Sequence, residues 1–179
     1  MRITVSGLPG SGTTSLARYL KEHQKLTMVS AGEVFRQMAA EKGMDLAAFG
    51  ELARSDPSID KMIDERQREI ACHTDDIILE GRLSGWMVPE ADLKIWLMAP
   101  IATRVYRIHA RDSMESEESA CIATEEREKC EDLRYRMYYQ IDINDLSPYH
   151  LILNSARWEV LQLGEIVGMA IAQIRPHPD

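Results

Sequence analysis

The chain has few cysteines and no pairing pattern for them. Cys72, Cys121 and Cys130 are odd in number, widely spaced and form no C-x-x-C motif, which argues against a disulfide framework and a structural zinc site. Around Cys121 and Cys130 only His109 lies near enough in sequence to join a metal set, one ligand short of four. Reduced thiols in a cytoplasmic protein are the expectation. A basic excess is also missing. Lys and Arg number 21 against 29 Asp and Glu, a net charge of −8. Nonspecific nucleic-acid binding needs the opposite sign, so no nucleic-acid partner is expected. No apolar run reaches the ~20 residues that span a bilayer. Met1-Arg2 leads directly into a strand pattern without a separate signal-peptide core or cleavage site, so neither a membrane span nor a signal peptide is expected. Internal repeats and low-complexity segments are absent. The histidines, His23, His73, His109, His150 and His177, are scattered, and none pairs with a nucleophile pattern. The ten methionines read as core and gap filler. With 45% apolar and 28% charged residues over 179 positions, the chain reads as one globular domain with one core.

The most informative absence is a single lysine. Gly7-Leu8-Pro9-Gly10-Ser11-Gly12-Thr13-Thr14-Ser15 meets the phosphate-loop pattern G-x-x-x-x-G-K-[ST] at Gly7, Gly12 and Thr14, but Thr13 stands at the lysine position. Arg2 to Ser6 before it reads as a buried strand and Leu16 to Leu20 after it as a helix, the context the motif requires. Glycines let the backbone turn its N–H groups toward an anion, and the helix N-terminus adds partial positive charge. The Thr14 hydroxyl is placed to reach Mg²⁺. The loop therefore reads as a nucleotide-phosphate site whose usual point charge must come from elsewhere.

Strand-length apolar runs recur at Ile3 to Ser6, Thr27 to Ser30, Ile77 to Glu80, Leu93 to Met98 and Leu151 to Asn154, separated by stretches with helical spacing. This alternation predicts an α/β fold with a five-stranded parallel sheet between two helical layers, the strands buried on both faces. Ligands of such sheets bind at the carboxyl ends of the strands. Ser6-Gly7, Ser30-Ala31-Gly32, Glu80-Gly81-Arg82 and Asn154-Ser155 all fall there. Two insertions interrupt the alternation. Residues 31–72 hold three short helices, with breaks at Gly43, Asp45, Asp56 and Pro57. Residues 100–146 form a long charged helical stretch that begins at Pro100 and is interrupted at Ser113.

Phosphoryl transfer needs positive charge around oxygens and little covalent work by the protein. Arginines aimed at one cleft are its signature, because the guanidinium fork binds phosphate bidentately. Arg36 lies one helical turn past the second strand, where it can point at an anion or simply lie on the surface. Glu80-Gly81-Arg82 closes the third strand: Glu80 can hold a Mg²⁺-bound water and Arg82 can face the transferring phosphate, or the two can form a strand-end ion pair. Arg104, Arg107 and Arg111 share one helix stripe at i, i+3, i+7, as do Arg127, Glu131 and Arg134 at i, i+4, i+7. Such stripes are commonly solvated faces, and a ladder of helix ion pairs is worth only ~0.3–0.5 kcal/mol per pair.

Taken in order, these segments resemble the cytidylate kinases, most nearly the archaeal type, over Ile3 to about Ile174. Leu79-Glu80-Gly81-Arg82-Leu83-Ser84-Gly85-Trp86 and Asp92-Leu93-Lys94-Ile95-Trp96-Leu97 are similar to their G-R-x-x-G and K-I-[FW]-L region. Arg127 to Arg134 has the R-[DE]-x-x-[DE]-x-x-R spacing of their nucleotide-gripping helix. Ser30 to Arg36 resembles the S-x-G-[DE]-x-[LF]-R element of adenylate kinases, and Arg107 to Arg111 the paired arginines at the base of their lid. The resemblance implies a phosphate-loop kinase fold in a single domain, 1–179, with a monophosphate-binding insertion (31–72) and a lid (100–146). It implies transfer of phosphate from ATP to CMP, and to dCMP, with Mg²⁺, by a cytoplasmic monomer. Ser30, Gly32, Arg36, Glu80, Arg82 and Glu131 would bind the acceptor; Gly7 to Ser15 and Arg107 would bind ATP; Arg82, Arg111, Arg127 and Arg134 would act on the migrating phosphate. The charge missing at Thr13 is expected from Arg111, Arg127 and Arg134 as the lid closes. Leu83 departs from the bacterial enzymes, which carry an aspartate there, and leaves this loop without that side chain for reading cytosine. Thr13 departs from the bacterial lysine but is common in the archaeal type. An adenylate kinase, another small-acceptor kinase on the same core, and a nucleotide-binding sensor without turnover are the alternatives.

Overall fold

The computed structural model describes residues 1–56 and 58–174, except for the side chains of residues 47, 54 and 60. Pro57, expected as a break, and His177 lie outside the described residues. Five strands, β1 (Arg2–Gly7), β2 (Thr27–Ser30), β3 (Ile77–Glu80), β4 (Leu93–Met98) and β5 (Leu151–Asn154), form one parallel sheet in the order β2-β3-β1-β4-β5. The helices are α1 (Thr13–Gln24), α2 (Ala31–Glu41), α3 (Leu46–Ser55), α4 (Ser58–His73), α5 (Ser84–Met87), α6 (Ile101–Asp112), α7 (Glu117–Tyr139) and α8 (Val160–Gln173). Among the described residues no helix is long and apolar enough to cross a membrane.

β1 is the central strand, paired with β3 on one side and β4 on the other. Ile3 and Val5 are fully buried and pack with Leu16, Leu20, Leu163 and Val167 beneath α1 and α8. Burial on both faces holds for β1, β3 and β4. It fails at the sheet edges: β5 alternates half-buried and exposed, and Ile152 is 45% exposed, because no further layer covers that side. On the opposite sheet face Leu83, Trp96, Tyr135, Ile141 and Tyr149 form a second cluster. The chain leaves β1 toward one edge and β3 toward the other, so a crevice opens at the carboxyl ends of these two neighbours.

The three helices between β2 and β3 have a core of their own. Phe49 is fully buried among Val34, Met38, Ala39, Ile59 and Ile63. Asp45 caps α3 by accepting from the Ala48 N–H at 2.8 Å, which explains the break at Gly43–Asp45. Ser113 ends α6 in the left-handed region, with φ 50°. Ser116 then caps α7.

Candidate active site

Between β1 and α1 the chain folds into a cradle. The Ser11 N–H donates to the Leu8 carbonyl at 3.1 Å, and Gly10 turns the chain at φ 78°. A Cβ on Gly10 would lie 2.6 Å from the Arg104 carbonyl oxygen, and one on Gly7 would lie 2.5 Å from that of Leu97. Only glycine fits this approach. Arg82 Nη1 donates to the Gly7 carbonyl at 3.2 Å, Arg104 Nη1 to Pro9 at 3.2 Å, Arg107 Nη1 to Gly10 at 3.3 Å, and Ser155 Oγ to Ser11 at 2.6 Å. With its carbonyls held outward, the loop presents its N–H groups to the concavity. The first-turn N–H groups of Thr13, Thr14 and Ser15 have no upstream helical partner and add to the same anion site.

The arginine stripe of α6 divides by depth. Arg104 is 5% exposed and makes an ion pair with Glu128 of α7, so it is a brace beneath the loop. Arg107 donates to Ser155 Oγ (3.0 Å) and its carbonyl (2.7 Å) and among the described residues pairs with no carboxylate, leaving an uncompensated charge beside Gly12. Arg111 is exposed and forks onto Asp112 at 2.6 and 2.7 Å.

On α7, Arg127 Nε donates to Glu131 Oε1 at 2.8 Å, the expected i, i+4 pair. The stripe is more than a ladder, however. Glu131 is 6% exposed and its other oxygen accepts from Arg82 Nε at 3.0 Å, joining α7 to the loop after β3. Burial pushes the Glu131 carboxyl up, but the guanidiniums of Arg82 and Arg127 outweigh it and hold it below the usual glutamate range. Arg134 follows Glu131 on the same face and is half-buried.

Glu80 lies beneath the loop. Its Oε1 accepts from Thr13 Oγ1 at 2.6 Å and from Thr14 Oγ1 at 3.2 Å, and its carbonyl accepts from Gln67 Nε2 of α4 at 3.1 Å. A hydroxyl and a carboxylate oxygen this close are the hard donors that suit Mg²⁺. Among the described residues no group of three His, Cys, Asp or Glu side chains gathers, so water and phosphate oxygens would complete such a site. At the end of β2, the Ser30 hydroxyl is the N-cap of α2: it accepts from the Glu33 N–H at 3.1 Å while Glu33 Oε2 accepts from the Ser30 N–H at 2.9 Å. Arg36 is exposed, and its Nη1 lies 3.5 Å from where a Cβ on Gly32 would sit. Among the described residues this guanidinium has no ion pair or hydrogen bond.

Residues 2–157 match the cytidylate kinase-like family. The chain belongs to this family. Curated relatives named cytidylate kinase include those of Methanosphaerula palustris, 65% identical with 98% of this chain and 99% of the relative covered, and Methanoregula boonei, 64% identical with 99% and 98% covered. Among solved structures the chain is similar to an uncharacterized protein from Eubacterium ventriosum (TM-score 0.71, 16% identity, 97% and 99% covered). It is also similar to a shikimate kinase from Acinetobacter baumannii (TM-score 0.61, 13% identity, 96% and 92% covered). At these identities the two structures show a shared fold.

Two features of this cytidylate kinase-like chain were not legible in its sequence. One is a cavity of about 590 Å³ beside Gly12 and Ser15, walled by Arg107, Ser155, Trp158 and Val160. Arg157 lies over the Trp158 ring at 5.2 Å from its centroid. The Asn154-Ser155 strand end hinted at this wall, but nothing in the local pattern marked Trp158. The other is Gln67, an apparently ordinary position in a charged helix, which is 4% exposed and reaches the end of β3.

Proposed function

We propose that the protein transfers the γ-phosphate of ATP to CMP, giving ADP and CDP. The carrying observation is the phosphate-loop cradle with its carbonyls pinned outward, together with the Arg82–Glu131–Arg127 chain at its open end. Relatives at 64–65% identity carry the name cytidylate kinase over nearly the same length, which supports CMP as acceptor.

In this reading the loop N–H groups from Gly7 to Ser15 hold the ATP phosphates, Arg107 adds the nearest uncompensated charge, and the cavity lined by Ser155 and Trp158 takes the base. Residues 31–72 hold CMP, with Arg36 and Gly32 at its phosphate, while Ser30 shapes that corner by capping α2. Arg82 faces both phosphates, and its Glu131 partner keeps the guanidinium plane fixed. Arg127 and Arg134 on α7 meet the migrating group. Arg111 joins only by leaving Asp112, so it belongs to a closed form of the 100–146 lid. Thr14 and Glu80 would hold Mg²⁺, which supplies charge neutralisation between the terminal phosphates when bound. The protein's contribution is position and electrostatic stabilisation. dCMP is a second acceptor. The enzyme is read as a monomer acting on small nucleotides, with no nucleic-acid or membrane partner; its net charge of −8 supports the absence of a nucleic-acid partner.

A coupled ADP-release assay at low, equal concentrations of CMP, dCMP, UMP and AMP tests this. CMP should have the highest kcat/KM, with dCMP second. AMP in first place would move the chain to the adenylate kinase alternative, and no turnover with any acceptor would leave a nucleotide-binding sensor.

A further inference from the structure

Thr13 occupies the lysine position of the loop without taking over the lysine's task. It is 6% exposed. Its Cγ2 lies 3.1 Å from where a Cβ on Gly7 would sit, so the side chain packs down onto the floor of the loop. Its hydroxyl makes a buried 2.6 Å hydrogen bond to Glu80 Oε1, across 67 residues of sequence. That short bond to a carboxylate is of the charge-assisted kind, and it takes the only proton Thr13 has to give. A phosphate in the concavity therefore receives the Thr13 backbone N–H and no donor from its side chain.

The consequence falls on Glu80. Its backbone is fixed: Ser30 and Val5 flank it in the sheet, the next N–H, that of Gly81, donates to the Val5 carbonyl at 3.2 Å, and Gln67 donates to its own carbonyl. Its side chain has three rotatable bonds and no positive partner within the described ion pairs, so its direction is set by the two hydroxyls. Thr14 is the weaker of the two, at 3.2 Å, and is the one assigned to the cation in the proposed function. Thr13 is the tighter, and it stays in place whatever Thr14 does. An ammonium at position 13 would be drawn to the same carboxylate, compensating Glu80 instead of a phosphate.

We infer that Thr13 is a positioning residue that fixes the Glu80 carboxylate beside Thr14, and that this chain has exchanged a lysine aimed at phosphate for a hydroxyl that orients the acid of the cation site. The inference rests on the kinase reading above.

The test uses Thr13→Val, which keeps the shape and removes the donor, and Thr13→Ser, which keeps the donor. Two readouts are needed. The first is ADP affinity by calorimetry with and without Mg²⁺, which involves no turnover. The second is kcat with saturating ATP and CMP. A lost hydrogen bond to a charged group corresponds to about tenfold or more. Thr13→Val should lose most of the gain in ADP affinity that Mg²⁺ confers and lower kcat by about tenfold or more, with KM for CMP little changed. Thr13→Ser should restore both. Circular dichroism checks the fold, and Thr13→Ala replaces the valine variant if that one does not fold. A valine or alanine variant with wild-type kcat and an undiminished Mg²⁺ effect would reduce Thr13 to loop packing and overturn the inference. If wild type failed to phosphorylate CMP, the functional reading would fall, whereas the ADP–Mg²⁺ titration would still decide the role of Thr13.

Discussion

At the scale of single residues, the arginines separate into three kinds that composition could not distinguish. Arg104 is an internal brace, Arg107 and Arg82 are pinned at the loop, and Arg36, Arg111 and Arg127 are exposed enough to move toward a ligand. The spacing identified the stripes but not their depth, because depth depends on what packs above each helix. Arg82 and Arg107 donate to the loop carbonyls, whereas Arg111 lies on Asp112 and Arg127 on Glu131. If Arg36 holds the CMP phosphate, as proposed, truncating it should mainly raise KM for CMP in steady-state kinetics. Arg134→Ala should lower kcat instead, since the proposed reading puts this side chain at the migrating phosphate, where charge shifts in the transition state. The removed donor is worth ~2–4 kcal/mol by analogy with single electrostatic contacts in other active sites. If both parameters of Arg134→Ala stayed near wild type, that part of α7 would be a structural ion-pair face. Glu131 gives a prediction in pH. Its folded carboxyl titrates below the usual range, so its contribution to stability is complete above the ordinary glutamate pKa of about 4.3 and is lost as pH falls through the depressed folded value. Melting temperature measured from pH 7 down to about 3 should therefore fall less steeply at the acid end for Glu131→Gln than for wild type. That variant should also melt lower at pH 7, where Arg82 loses its compensating charge. Parallel acid limbs for the two proteins would contradict the assignment.

At the scale of elements, the strand ends were the best-read part of the chain. Four of five strands run over the residues the apolar runs mark, because turn and cap residues flank them. Ser30 is the instructive case. Its position at a strand end was legible, but the use of its hydroxyl was not read: it caps α2, in an S-x-x-E capping box with Glu33. Edge exposure of β5 and the inward turn of Gln67 were not legible, since both depend on neighbours distant in sequence. The segment between β2 and β3 has a core separate from the sheet's, and this predicts partial independence. Phe49→Ala removes the fully buried ring at its centre, a loss of ~3–5 kcal/mol for a well-packed site. Hydrogen exchange should then speed up in α2, α3 and α4 well before β1 and α1. Uniform acceleration over the whole chain would show instead that this core is inseparable from the sheet. Tyr139 of α7 donates to Asp64 of α4 at 2.9 Å, so the two insertions touch.

At the scale of the whole molecule, five parallel strands bring residues 7–15, 80–82, 107, 131 and 155 to one edge, although they span nearly the full chain. The alternation of apolar runs predicted that edge, while the pairing order and the cavity beside Gly12 required the folded chain. The acidic surface and the arginines gathered at the loop give the molecule opposite signs outside and inside its cleft, which suits a small anionic ligand pair. In the proposed reaction phosphate moves directly from ATP to the phosphate of CMP. Phosphorus NMR of the protein with equimolar Mg·ATP and CMP follows every phosphate at once. The CMP signal should decline as the two CDP signals and those of ADP rise in a one-to-one ratio, with no early inorganic phosphate. Growth of inorganic phosphate beside an unchanged CMP signal would contradict it.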